Sequence, residues 1–143
     1  MELTRIFWDT NLFIYLLEGT GESFQRTRAL LGRMIERRDE LLTSTMTLGE
    51  LLVGPLAAGR SEAAELFEKS LRSTGVRLIP FDDAAARVFA RIRQDRTIAP
   101  PDAIQLSCAA VAGSDLFVTN DDRLSRKLVG GIHFIVPLTQ AFL

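Results

Sequence analysis

Pro101-Asp102-Ala103-Ile104-Gln105-Leu106, followed beyond Gly113-Ser114 by Leu116-Phe117-Val118-Thr119-Asn120-Asp121-Asp122, decides how the chain is read. The first segment reads as a helix whose opening turn carries Asp102, and Pro100-Pro101 stops one element and starts this one. Gly113-Ser114 marks a loop. Leu116 to Thr119 then reads as a short apolar strand that delivers Asp121 and Asp122 at its far end. A helix start and a strand end each carry an acidic residue.

The same arrangement recurs in the first part of the chain. Leu3 to Trp8 reads as a buried strand, after which Asp9-Thr10-Asn11 supplies turn and capping groups for a helix through Leu12–Leu17. Leu41 to Ser44 reads as a second strand. Thr47-Leu48-Gly49-Glu50 has the S/T-x-x-E spacing of a capping box, so the next helix is expected to start there and to be bent or interrupted at Gly54-Pro55. Glu50 thus joins Asp9, Asp102 and Asp121 at comparable junctions.

The remaining segments fit one alternating pattern. Helical spacing predicts elements over Ser23–Arg38, Ser61–Ser73 and Asp83–Arg96, the last capped by Asp82 and carrying Arg87 and Arg91 on its outer face. Arg77–Phe81 and Ile132–Val136 read as strands, and Ser125–Val129 as a short helix. Strands alternating with helices predict an α/β fold, a mainly parallel sheet with helices on both faces. The functional crevice of such a sheet lies beyond the carboxyl ends of its strands, where Asp9 and Asp121 are placed.

With 143 residues, 47% of them hydrophobic, a single domain over 1–143 is expected. The formal charge of −1 argues against a general nucleic-acid coat. Local basic segments remain: Arg87, Arg91, Arg93 and Arg96 precede Asp102, and Arg123, Arg126 and Lys127 follow Asp121. They read either as solvated faces or as a grip on a phosphate backbone. The lone Cys108 excludes an intramolecular disulfide, and Met1-Glu2-Leu3-Thr4-Arg5 lacks the regions of a signal peptide, so a cytoplasmic location is expected. Leu12–Leu17 is far short of the ~20 residues that span a bilayer, and no membrane role is indicated. Cys108 reads as a core residue and His133 as a core or edge one.

Carboxylates gathered in a crevice raise one another's pKa or require a cation. Oxygen ligands suit Mg²⁺ or Mn²⁺, and there is no Cys/His set for zinc. Because Mg²⁺ keeps waters and takes substrate phosphate oxygens, phosphate-ester chemistry is the natural partner of such a cluster. Each acid also has an ordinary reading: Asp102 as a helix-dipole partner, Glu50 as a capping-box member, and Asp9, Asp121 and Asp122 as turn residues.

Taken together, Phe7-Trp8-Asp9-Thr10-Asn11, Thr47-Leu48-Gly49-Glu50, Pro101-Asp102-Ala103-Ile104 and Phe117-Val118-Thr119-Asn120-Asp121 resemble the PIN-domain ribonucleases, especially the VapC-like toxins of toxin-antitoxin pairs. The resemblance covers essentially the whole chain. It implies a PIN-like fold and an acidic metal and catalytic quartet of Asp9, Glu50, Asp102 and Asp121, with Thr10, Asn11 and Thr119 orienting ligands, water or phosphate. It further implies Mg²⁺- or Mn²⁺-dependent cleavage of RNA by a homodimer restrained by a small cognate antitoxin. Gln105-Leu106-Ser107-Cys108 is more polar than the alanine-rich run usual after the family's Pro-Asp-Ala, and Asp122 doubles the last acid. Two other readings stay open. Asp9-Thr10-Asn11 with Thr119 is loosely similar to haloacid-dehalogenase-like phosphohydrolases, although Asn11 stands where those enzymes carry a second Asp. The other is a non-catalytic PIN-like module that binds RNA or a partner.

Overall fold

Ile6, Phe7 and Trp8 are successive residues of one strand, point alternately to its two faces, and are all fully buried. A strand buried on both sides must lie inside a layered fold. The computed structural model, which describes residues 4–141, shows that layering. Strands β1 (Arg5–Trp8), β2 (Glu40–Ser44), β3 (Arg77–Ile79), β4 (Leu116–Thr119) and β5 (Phe134–Pro137) form one parallel sheet in the order β3-β2-β1-β4-β5. Leu3, the expected start of β1, lies outside the described residues.

The helices are α1 (Thr10–Glu18), α2 (Glu22–Arg37), α3 (Thr45–Ala57), α4 (Ser61–Ser73), α5 (Asp83–Ile92) and α6 (Pro100–Val111). Each sheet face has its own core. Ile6, Trp8, Leu41 and Val118 pack with Leu12, Leu30, Met34, Leu51 and Leu71 from α1 to α4. Phe7, Leu42 and Phe117 pack with Ala85, Ala103, Leu106 and Ala109 from α5 and α6. The chain runs outward from β1 through β2 to β3 with helices on one face. It then crosses back over the other face to β4 on the far side of β1. Right-handed crossovers require this change of face when the direction reverses, and the reversal leaves a crevice between the carboxyl ends of β1 and β4.

Several boundaries differ from the sequence reading for identifiable reasons. Helix α3 is capped by Ser44, whose Oγ accepts from Thr47 N at 3.4 Å, so it starts at Thr45 and the Thr47/Glu50 pair is no capping box. Pro55 lies within α3, which continues to Ala57 without interruption; the missing N–H falls in the last turn. Strand β3 stops at Ile79 because Pro80 has no N–H to donate to a ladder. Helix α5 ends at Ile92, and Arg93 then donates to the carbonyl of Ile98 at 2.6 Å, tying down the turn before α6. The helix expected over Ser125–Val129 is only a 3-10 turn at Leu124–Arg126. His133 precedes β5, the edge strand of the sheet, and is exposed, 3.2 Å from Asp115, so of the core and edge readings it is the edge one that holds.

The expected places of Asp82 and Cys108 hold. Asp82 caps α5 by accepting from Ala85 N at 3.0 Å. Cys108 is fully buried, and burial pushes its thiol up to about 11, so it is chemically quiet. Gly131 has φ +95 and lies so close to α6 that a Cβ there would meet the Ala110 carbonyl oxygen at 2.9 Å, so only glycine suits this approach. Among the described residues, no helix is long and apolar enough to cross a membrane.

Candidate active site

Asp9 follows β1 directly, and its N–H extends the ladder to the carbonyl of Val118 at 3.0 Å. Its side chain caps α1, Oδ1 accepting from Thr10 N at 2.9 Å, while Oδ2 accepts from the hydroxyl of Thr119 at 2.9 Å. Both oxygens are therefore oriented by the backbone start of one element and the end of another. Asp9 is only 8% exposed, and burial raises its carboxyl from 3.8 to about 6 against the opposing hydrogen bonds from Thr119 and Thr10; the charges of Asp102 and Glu50 raise it further.

Asp102 enters from the other helix layer, in the first turn of α6 after Pro100 and Pro101. Its carboxyl is also raised, first by desolvation and then by Asp121 and Glu50, with Arg123 acting in the opposite sense. Glu50 stands in α3 and accepts from the Thr10 hydroxyl at 2.7 Å. Asp121 has two roles. Its Oδ1 accepts from the N–H groups of Arg123 (2.9 Å) and Leu124 (3.3 Å), which closes the 3-10 turn and leaves Oδ2 without a partner among the described residues. Thr119 supports this end too, accepting from Asp121 N at 3.1 Å.

The crevice thus links the four acids through Asp102, which feels the charges of Asp121 and Glu50 while Asp9 feels those of Asp102 and Glu50, and Thr10 and Thr119 are hydrogen-bonded to acids of the set. Asn11 is not drawn in: it is exposed and makes no side-chain hydrogen bond among the described residues. Asp122 is exposed, and it is its backbone carbonyl that accepts, from Ser125 Oγ at 2.8 Å. Sequence reading did not foresee Gln105 as a site residue. It lies one turn after Asp102 on α6, is 2% exposed, and bonds to Thr10 and Thr47. The signals were its polarity on an otherwise apolar helical stripe and the unusually polar run that it opens after Pro101-Asp102-Ala103.

No three Asp, Glu, His or Cys side chains among the described residues already converge tightly enough to enclose a metal ion. The donor set nevertheless suits one. It is all oxygen, and burial and neighbouring acids hold Asp9 well above its usual range, which a cation would reverse. Mg²⁺ takes few protein carboxylates and fills the rest of its octahedron with water and phosphate oxygens, so a closed protein cage is not required.

Beside the carboxylates lies a hollow of about 570 Å³, lined by Asp102, Asp121, Arg123, Arg126 and Thr97. It shares Ile98, Arg126 and Lys127 with an adjoining hollow of about 670 Å³ that extends along α5 to Arg91 and Val88. Lys127 is engaged here, donating to Asp95 Oδ2 (2.9 Å) and Thr97 Oγ1 (2.7 Å). Hydrogen bonds from Thr97 and then Lys127 hold the Asp95 carboxyl down at about 2. Arg91 and Arg126 are exposed and have no acidic partner among the described residues.

The family model of the PIN domain matches residues 6–128, from within β1 to just past the 3-10 turn. The chain belongs to the PIN domain family. Three solved structures share the PIN fold with it. VapBC2 from Rickettsia felis, bound to a DNA fragment from its promoter, is 16% identical with a TM-score of 0.71, covering 94% of this chain and 98% of the other. A toxin-antitoxin complex from Klebsiella pneumoniae is 20% identical with a TM-score of 0.63, covering 89% and 94%. VapBC-5 from Mycobacterium tuberculosis, a member of the VapBC family of toxin-antitoxin systems, is 24% identical with a TM-score of 0.63, covering 94% and 98%. No curated protein sequence matches significantly. Within the PIN fold of this chain, the four acids occupy the crevice where the strand order reverses.

Proposed function

We propose that this PIN protein is a metal-dependent endoribonuclease, the toxin of a toxin-antitoxin pair, acting in the cytoplasm as one domain. The observation that carries the reading is Asp9, a carboxyl buried at the carboxyl ends of β1 and β4 with further acids near it, at the topological switch point. Such an arrangement is costly unless a cation binds there. Asp9, Glu50, Asp102 and Asp121 would hold Mg²⁺ or Mn²⁺, which when bound would neutralise them, activate water and stabilise charge on the phosphate.

The chain's own residues supply orientation. Thr119 and Thr10 N fix the two oxygens of Asp9, and the turn at Leu124 fixes Asp121 with one oxygen free. Arg123 and Arg126, on the wall of the hollow beside the carboxylates, and Arg91, in the adjoining one, would hold the phosphates that flank the reacting one. The structural neighbours that are toxin-antitoxin complexes support a small antitoxin as partner. Exposed Val53, Leu56 and Leu66 on α3 and α4 offer apolar surface for an antitoxin or for a second copy in a homodimer. No observation favours the phosphohydrolase reading, since Asn11 carries no acid and faces solvent.

Single-stranded RNA incubated with the protein and Mn²⁺ is expected to give fragments with 5′-phosphate and 3′-hydroxyl ends, as read by mass spectrometry. Fragments ending in a 2′,3′-cyclic phosphate would mean that the RNA's own hydroxyl attacks, and would overturn the water mechanism. The basic wall makes a separate claim. Arg91→Ala and Arg126→Ala should each reduce the slope of log affinity against log salt by about 0.7, the value for one phosphate contact on a single strand. Fluorescence anisotropy with uncleaved RNA, in EDTA, measures this. An unchanged slope in both variants would remove the basic wall from the RNA path.

A further inference from the structure

A buried chain of hydrogen bonds joins Gln105 to Glu50, and counting its protons fixes its direction. The amide nitrogen of Gln105 donates to Thr10 Oγ1 at 2.8 Å and to Thr47 Oγ1 at 2.9 Å, while its oxygen accepts from Ser44 Oγ. An amide nitrogen carries two protons, so both are used. Thr43 donates to the Trp8 carbonyl at 2.8 Å, which leaves Thr47 to donate to Thr43 at 2.8 Å. Thr10 already accepts from Gln105, and its single proton goes to Glu50 Oε1 at 2.7 Å. The one hydroxyl contact left without a proton, Thr10 to Thr47 at 3.0 Å, is longer than the Thr10–Glu50, Thr47–Thr43 and Gln105 amide bonds beside it.

Turning the Gln105 amide over would break this assignment. Its oxygen would then face Thr10 and Thr47, and Thr10 has one proton for two acceptors, so either Gln105 or Glu50 would meet an oxygen with nothing between. Glu50 itself is exposed and has no other side-chain hydrogen bond among the described residues. A long, freely rotating side chain is therefore aimed by one hydroxyl, and that hydroxyl is aimed by Gln105.

We infer that Gln105 is a positioning residue of the acidic site, setting the direction of the Thr10 hydroxyl and through it holding the Glu50 carboxylate toward Asp9 and Asp102. The inference rests on the proposed reading of these acids as a metal-dependent centre. Groups that orient ligands from behind typically change metal affinity by about tenfold or more when removed.

The test is a double-mutant cycle read by calorimetry with Mn²⁺ and, separately, by RNA cleavage. Gln105→Leu is expected to weaken Mn²⁺ binding about tenfold and to lower kcat with KM unchanged. In a Glu50→Ala background the same change should have no further effect on either quantity, because Gln105 acts only through Glu50. Gln105→Glu, nearly the same shape, should weaken binding at least as much by drawing the Thr10 proton away, and it replaces Gln105→Leu if that variant does not fold. Wild-type Mn²⁺ affinity in either folded variant, or losses that add to those of Glu50→Ala, would overturn the inference. RNA cleavage absent from the wild type while the Mn²⁺ coupling persists would overturn the nuclease reading and leave this one standing.

Discussion

Asp9→Asn is expected to abolish RNA cleavage while making the metal-free protein harder to unfold. The loss follows from the place of Asp9 at the centre of the acidic set. Removing one anionic ligand should cost at least about a thousandfold in rate, roughly 4 kcal/mol of transition-state stabilisation. The gain follows from the same burial that makes Asp9 useful. Its folded-state carboxyl is raised from 3.8 to about 6, so protonation favours the folded form. That contribution is fully present below the unfolded value and is lost as pH rises through about 6. At pH 7.5 in EDTA the wild type therefore carries a penalty of at most about 3 kcal/mol that asparagine avoids.

Asparagine also caps helices as well as aspartate does and keeps an oxygen for Thr10 N. The variant should melt several degrees above the wild type at pH 7.5 in EDTA, with the gap closing near pH 4. Saturating Mn²⁺ should reverse the order, since only the wild type would gain from binding. Calorimetric unfolding at the two pH values checks this. A variant that melts at or below the wild type in EDTA at pH 7.5 would remove the burial account of Asp9.

Phe7→Ala is the second large effect, and it acts on stability. Phe7 is fully buried on the central strand, and its ring stacks on Phe117 with centroids 5.2 Å apart and planes 10° from parallel. The two rings belong to residues in direct register on neighbouring strands, β1 and β4, which flank the switch point. Truncation should cost about 3–5 kcal/mol, a large share of the roughly 5–15 kcal/mol that holds a domain together. Urea unfolding should show a much lower midpoint at similar slope. A loss below about 1 kcal/mol would show that the core closes over the gap.

The element order and the acids at strand ends were legible because they are local. Apolar runs such as Phe117-Val118 and Leu41-Leu42 encode a sheet covered on both faces, and Asp9 and Asp121 follow such runs directly. The start of α3 was not legible in the same way. Ser44, Thr45 and Thr47 all suit a helix start, and the choice falls to Ser44 because β2 pairs with β3 as far as Ser44 opposite Ile79. The position of Glu50 in α3 is therefore set by strand pairing. The Gln105 network was illegible for a stronger reason: Thr10, Thr47 and Gln105 come from three separate elements, and only the packing of α6 across β2 brings them together.

Trp8 is the only tryptophan in the chain, fully buried one residue before Asp9 and packed against Phe13 with centroids 5.2 Å apart. Its indole nitrogen has no hydrogen-bond partner among the described residues, an uncommon state for a buried N–H that costs about 1–3 kcal/mol. The optical consequence is useful. An indole with neither water nor an acceptor emits at the blue end of its range, and the emission moves red when β1 opens. Because the fluorophore adjoins the most perturbed carboxyl of the site, gain or loss of charge at Asp9 changes the electric field across the ring. The protein carries its own unlabelled reporter of both events.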